Sequence, residues 1–162
     1  MERKITIRVE EYRSSSELNE SDRILLEKAT LASQTSYSPY STFRVGAAVR
    51  LANGEIVKGS NQENAAYPSG LCAERTALFY AQSKFPEVPA EAIAIFANSS
   101  EFKMDMPVTP CGSCRQVIAE HESRHGHKIR IIMGADNGII QVVEGIESLL
   151  PLMFMLEKLK KQ

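Results

Sequence analysis

With 162 residues, 43% hydrophobic and 24% charged, the chain is long enough for one domain, 1–162, with a real core. Its formal net charge of -1 gives no sign of the electrostatic attraction that long nucleic acid favours, so no nucleic-acid partner is expected. Met1-Glu2-Arg3-Lys4-Ile5-Thr6 lacks the apolar stretch of a secretory leader, and the apolar run at 149–156 is too short for a bilayer and is interrupted by Pro151. The expectation is a cytoplasmic protein with no membrane partner.

Ile5, Ile7 and Val9 alternate with Thr6, Arg8 and Glu10, which predicts a short strand within residues 1–20. A polar stretch, Ser14-Ser15-Ser16-Glu17, follows. Ile24, Leu25, Lys28, Ala29 and Ala32 keep helical spacing over 20–35, with Ser21 as the N-cap. Residues 45–51 and 55–59 flank Asn53-Gly54, a dipeptide suited to a type I′ hairpin turn. A helix is predicted over 71–84, ended by Pro86, then a compact apolar strand at 92–97 and a helix over 112–124 ended by Gly126. Strands at 129–133 and 139–143 are joined by Ala135-Asp136-Asn137-Gly138, too short a link for a parallel crossover, so they pair antiparallel. Residues 152–161 predict a short terminal helix. Right-handed strand–helix–strand crossovers imply parallel pairing in the middle of the sheet. The fold class is α/β: a three-layer α/β/α sandwich with a mixed five-stranded sheet and helices on both faces.

All three cysteines fall in two short motifs, and an odd number with one C-x-x-C pair argues for metal or redox chemistry over a disulfide framework. Cys72-Ala73-Glu74-Arg75 opens one predicted helix, and Pro110-Cys111-Gly112-Ser113-Cys114 opens another. Cys111 and Cys114 share a helical face and can grip one ion. Helix N-termini favour thiolate over thiol. If the two ends converge, three thiolates meet one zinc ion and a fourth tetrahedral position stays open for water, the pattern of a catalytic site. The metal would acidify that water so that hydroxide exists near neutral pH. A structural site would take a fourth Cys or His, and a redox pair would need only Cys111 and Cys114. His121, His125 and His127 form a cluster that could supply a ligand, but they read more simply as exposed helix-end cations favoured by the dipole. Glu74 lies about 200° around the helix from Cys72, off the ligand face, where it can border the pocket as a proton shuttle. Three thiolates and Zn²⁺ sum to one negative charge, and Arg75, three residues after Cys72, is placed to offset it. C-x-E followed by P-C-x-x-C is the pattern of zinc nucleobase deaminases.

Four segments extend that pattern. They are Tyr37-Ser38-Pro39-Tyr40-Ser41-Thr42-Phe43-Arg44-Val45-Gly46-Ala47-Ala48, Gly59-Ser60-Asn61-Gln62-Glu63-Asn64-Ala65-Ala66-Tyr67, Cys72-Ala73-Glu74-Arg75-Thr76-Ala77 and Pro110-Cys111-Gly112-Ser113-Cys114-Arg115-Gln116. On these the chain resembles the small, homo-oligomeric cytidine deaminases over residues 20–155. The resemblance implies one zinc ion per chain on Cys72, Cys111 and Cys114, with Glu74 as the acid/base group. It implies that Asn61 and Glu63 bind the ribose hydroxyls and that Phe43 packs against the base or sugar. Backbone groups near Ala73 and Cys111 would hold the base edge, and Phe154 would enter a neighbour's pocket in a homotetramer. The implied reaction is hydrolytic deamination of cytidine and deoxycytidine to uridine and deoxyuridine with release of ammonia, a step of pyrimidine salvage.

The residues themselves add to this. Asn61 and Glu63, at i and i+2 on a strand end, face one pocket. The carboxylate of Glu63 would repel a nucleotide phosphate. The run at 149–156 is apolar enough to cover a partner subunit or to dock on its own core. Arg44 departs from the family, which usually has proline before Val-Gly-Ala-Ala, and residues 1–20 exceed its usual compact start. A cytosine nucleoside antibiotic is an alternative substrate. A zinc-stabilised scaffold is the alternative class, and Glu74 argues against it because a scaffold needs no acid/base group.

Overall fold

Residues 43–51 and 90–99 are buried almost without alternation, the pattern of strands covered by helices on both faces. The computed structural model, which describes residues 1–155, has that architecture. In chain order the elements are β1 (Glu10–Tyr12), α1 (Glu20–Ser33), β2 (Phe43–Leu51), β3 (Ile56–Ser60), α2 (Ala73–Lys84), β4 (Ala90–Ser99), α3 (Gly112–His125), β5 (Arg130–Ala135) and β6 (Ile140–Glu144). They form one sheet in the order β1-β6-β5-β4-β2-β3. β4 and β5 pair parallel across the α3 crossover, and the other neighbours are antiparallel, including the final pair β5–β6. On one face Leu25, Leu26 and Ala29 of α1 pack on Ala48, Ala94, Ile132 and Val142. On the other, Ala77 and Leu78 of α2 and Ile118 of α3 pack on Val49, Ile93, Ile95, Ile131 and Met133. The three layers and the antiparallel last pair match the expectation. Among the described residues no helix is long and apolar enough to cross a membrane.

Among the described residues the sheet has six strands where the sequence predicts five. The added strand is β1, and it lies at Glu10–Tyr12, later than the predicted alternation at 5–9. The reason is the length of its partner. Glu10 faces Val142 and Tyr12 faces Ile140, so β6 runs out near residue 8 and Ile5 and Ile7 have no backbone beside them. Charge then anchors the strand: Arg130 of β5 bonds Glu10 at 3.5 Å, the buried Asp22 of α1 at 2.8 Å, and Glu144 of β6. Tyr12 packs beside the α1 cluster.

Three local expectations are corrected. The N-cap of α1 is Asn19, whose side chain accepts from Asp22 N–H at 2.9 Å, while Ser21 lies inside the helix and gives its hydroxyl to Asn19. The β2–β3 turn is not type I′, which needs two residues at positive φ. Only Gly54 has it, at 86°. Gly54 N–H bonds Leu51 O and Leu51 N–H bonds Glu55 O, both at 2.9 Å, so a type I turn closes in a glycine bulge. The predicted helix at 152–161 begins as turn and irregular chain through residue 155, and the rest lies outside the described residues.

His121 corrects the reading of the histidines as exposed cations. It is 1% exposed, its Nε2 accepts from Ala90 N–H at 3.0 Å, and its Nδ1 meets the Gln82 amide at 2.7 Å. It therefore pins α3 and α2 to the start of β4 as a neutral ring. Burial, and then the nearby His125 and Arg124, lower its pKa from 6.5 to about 4. The unfolded chain takes up a proton near pH 6.5 and the folded chain only near 4, so this stability is complete above pH 6.5 and is lost as pH falls through that window. Thermal melts between pH 7 and 4 should show Tm falling, and His121→Gln should flatten that slope; an unchanged slope would remove His121 from the acid response.

Gly59 sets the height of α2 above the sheet. A Cβ there would lie 2.5 Å from Ala77 N and 2.7 Å from Ala73 O. Because backbone cannot give way cheaply, Gly59→Ala should cost about 1–3 kcal/mol in chemical denaturation. It should also weaken metal retention, since Ala73 adjoins Cys72, whereas Gly112→Ala, with open space around it, should fold like the wild type.

Candidate active site

β3 and β4 are both antiparallel to β2, and so parallel to each other. The helices that follow them, α2 and α3, therefore start at the same edge of the sheet and on the same face. Cys72 is the N-cap of α2, Cys111 is the N-cap of α3, and neither end has a side-chain capping bond. Cys114 sits one turn into α3. The three Sγ atoms lie within 4.8 Å of one another, with 3.7 Å between Cys72 and Cys111 and 3.5 Å between Cys111 and Cys114. A tetrahedral zinc with Zn–S bonds near 2.3 Å places its sulfurs about 3.8 Å apart, so the donor set fits the ion. Among the described residues no histidine or fourth cysteine joins this group. Cys111 is exposed, Cys72 half-buried and Cys114 buried, so the cluster opens outward on the Cys111 side.

The surroundings control charge. Cys72 is lowered to about 5, chiefly by a hydrogen bond from Cys114, with burial opposing and Arg75 Nη2 assisting at 3.6 Å. Cys114, the buried donor of that bond, is pushed up. The contact with Cys72 raises the pKa of Arg75. Glu74 is 5% exposed, and burial, reinforced by the charge on Cys72, raises its carboxyl above the usual range. Its side chain also bonds Cys114, so it borders the cluster although the helix turns it away from Cys72.

Beside Cys72 lies a cleft of about 450 Å³ lined by Tyr40, Asn61, Glu63, Tyr67, Cys72 and Arg75, among others. Asn61 and Glu63 are held by backbone bonds from Tyr37 to Asn61 O and from Glu63 to Tyr37 O. Asn61 Oδ1 accepts from Val45 N–H at 2.8 Å and Ser36 Oγ at 2.5 Å, and its Nδ2 donates to Phe43 O at 2.9 Å. Glu63 accepts from Tyr40 N–H at 2.8 Å, Ser41 N–H at 3.3 Å and Ser41 Oγ. Those bonds, led by the Ser41 hydroxyl, lower its pKa and keep it a carboxylate.

Two named residues lie elsewhere. Phe43 is half-buried and stacks on Phe102, with ring centroids 6.2 Å apart, outside the lining of this cleft. Phe154 is 65% exposed, and its carbonyl accepts from Gln116 Nε2 at 2.9 Å. Arg44 is exposed on β2 opposite Asn98. Sequence reasoning assigned no role to Ser36, Ser41 or Arg115. Arg115 bonds Pro110 O at 2.7 Å, Leu149 O at 2.8 Å and Thr109 Oγ1 at 2.9 Å, and so fixes the loop that carries Cys111. Its position directly after Cys114 was the available signal.

Comparison with known proteins gives the same picture. The model of the cytidine and deoxycytidylate deaminase zinc-binding region matches residues 19–126. The chain belongs to this family. A cytidine deaminase of Halalkalibacterium halodurans is 45% identical over 98 residues, covering 60% of this chain and 70% of that protein. The solved cytidine deaminase of Burkholderia pseudomallei superposes with a TM-score of 0.72 at 34% identity, over 85% of this chain and all of that one. The solved cytidine deaminase of Mycobacterium tuberculosis does so with a TM-score of 0.65 at 30% identity, over 85% of this chain and all of that one. As a member of the deaminase family the chain is a zinc-dependent enzyme, with Cys72, Cys111 and Cys114 the group that can hold one zinc. Metal analysis should find one zinc per chain, and Cys114→Ser, which removes the buried ligand, should abolish stoichiometric zinc; full zinc in that variant would rule out this ligand set.

Proposed function

We propose that the enzyme hydrolyses the exocyclic amine of cytidine and deoxycytidine, yielding uridine or deoxyuridine and ammonia. The observation that carries the reading is the adjacency of a three-thiolate cluster with a buried carboxyl, Glu74, to a cleft with a prearranged sugar-binding pair. Asn61 has used both acceptor positions and one amide hydrogen, which leaves one donor. Glu63 has three donors on its two oxygens and keeps an acceptor position. One free donor and one free acceptor suit a neutral sugar hydroxyl pair. The ionised Glu63 disfavours a nucleotide phosphate.

Zinc, when bound, supplies Lewis acidity that makes a water molecule nucleophilic near neutral pH. The chain's own groups do the rest. Glu74 takes a proton from the attacking water, passes it to the ring nitrogen, and serves again as the amine leaves as ammonia. Its burial suits both roles, because a carboxyl with a raised pKa accepts a proton more readily than an ordinary carboxylate and can then pass it on. Arg75 offsets the excess negative charge of the sulfurs. Backbone groups near Ala73 and Cys111, at the helix ends, hold the base edge.

We take the chain, 1–162, as one deaminase domain with residues 1–20 as an extension, working in cytoplasmic pyrimidine salvage. We further infer a homotetramer. Exposed Phe79, Tyr80, Phe102 and Phe154 are large apolar groups for a monomer to leave in water. In that assembly Phe154 would enter a neighbour's pocket.

Loss of absorbance should be followed with purified zinc-loaded protein on cytidine, deoxycytidine, CMP and cytosine in parallel. The two nucleosides should react and the nucleotide and free base should not; no change with any of them would favour the scaffold reading. Glu74→Gln should keep its zinc and lose about 10²–10⁴-fold in kcat. Retained kcat would remove Glu74 from the proton path.

A further inference from the structure

The segment before β1 leaves apolar side chains in water. Ile5, Ile7 and Val9 are 46%, 49% and 42% exposed, although they are β-branched and spaced for one face of a strand. Among the described residues β1 is the edge of the sheet, with β6 on one side and no strand on the other. An open edge preceded by an unpaired, strand-forming segment is a template for another strand.

We propose that residues 3–11 pair antiparallel with the same residues of a second copy, about a two-fold axis at Ile7. The charge pattern singles out this register. It sets Ile7 against Ile7, Ile5 against Val9, Lys4 against Glu10 and Arg3 against Glu11 of the other copy, so apolar groups share one row and each terminal charge meets its opposite. Sliding the axis to Thr6 opposes Lys4 to Arg8 and Glu2 to Glu10. Sliding it to Arg8 opposes Arg8 to itself and Ile5 to Glu11. An axis between residues places apolar side chains opposite polar ones. A closed two-fold pairing also caps the edge and stops further strand addition. The sheets of the two copies become one continuous sheet, joined at the edge farthest from β3. Glu10 already meets two cations, Arg130 at 3.5 Å and Arg8 at 3.3 Å, whereas Glu11 accepts from the neutral Gln141 amide at 3.0 Å, so Arg3–Glu11 faces less competition from charge.

The surface is separate from the metal cluster and its cleft, so the proposal does not depend on the substrate assignment. The test uses zinc-loaded full-length protein carrying single substitutions, under mild oxidation, read on non-reducing gels. Opposed residues in an antiparallel pair have Cα atoms about 4.5–5.5 Å apart, within disulfide range. Ile7→Cys should therefore form a cross-linked dimer at least about tenfold faster than Glu2→Cys, which sits about 30 Å from its own copy in this register. Adding Arg3→Glu to Ile7→Cys should slow the cross-link, and adding Glu11→Lys to that pair should restore it. Equal rates for Ile7→Cys and Glu2→Cys, or indifference to Arg3→Glu, would overturn the proposal.

Discussion

Three sulfur atoms that carry like charge when they bind metal are held within 4.8 Å of one another, and the rest of the site is organised around that constraint. The sheet supplies the force. Parallel β3 and β4 each feed a helix that starts at the same edge, and Gly59 lets α2 approach closely enough to complete the cluster. Two uncapped helix N-termini contribute partial positive charge where the thiolates gather. Arg75 adds a full charge against Cys72. Groups that would repel one another as thiolates are thus held together by the fold as a preformed site for a soft divalent cation.

The cleft divides its labour in space. At the metal end, burial governs: Glu74 is enclosed, and its proton affinity rises accordingly. At the other end, hydrogen bonding governs: Glu63 sits near solvent, and three donors hold it ionised and fixed in direction. Two carboxyl groups of similar intrinsic acidity are thus pushed in opposite directions, which suits the proton-moving role proposed for Glu74 and the recognition role proposed for Glu63. Ser36, Ser41 and Arg115 act earlier in this chain of cause, since they lock the side chains and the loop that a ligand would meet.

Much of this was readable from local pattern. C-x-E and P-C-x-x-C carry their chemistry within a few residues, and apolar periodicity marked the helices and central strands. The failures share a cause. Whether residues 5–9 form a strand depends on where β6 ends, which residues 5–9 do not encode. His121 looked like a helix-end cation because its neighbours in sequence are polar, yet Ala90 and Gln82, far away in sequence, bury it and take its hydrogen bonds. Asn53-Gly54 suits two turn types, and the register of β2 on β3 selects the one with a bulge.

By itself the sequence pointed to the three cysteines that can hold a metal, and to Glu74, Asn61 and Glu63 as the proposed acid/base and sugar-binding groups, because each assignment depends on side-chain chemistry at short spacing. It also determined the layering, because alternation and helical periodicity are local properties of the chain. Only the tertiary structure decided that Cys72 meets Cys111 across 39 positions, that Glu74 is buried while Glu63 is not, and that Phe43 lies against Phe102 and not in the cleft. Those outcomes follow from which strands pair and how closely helices approach the sheet, and that geometry is set by contacts between residues distant in the chain.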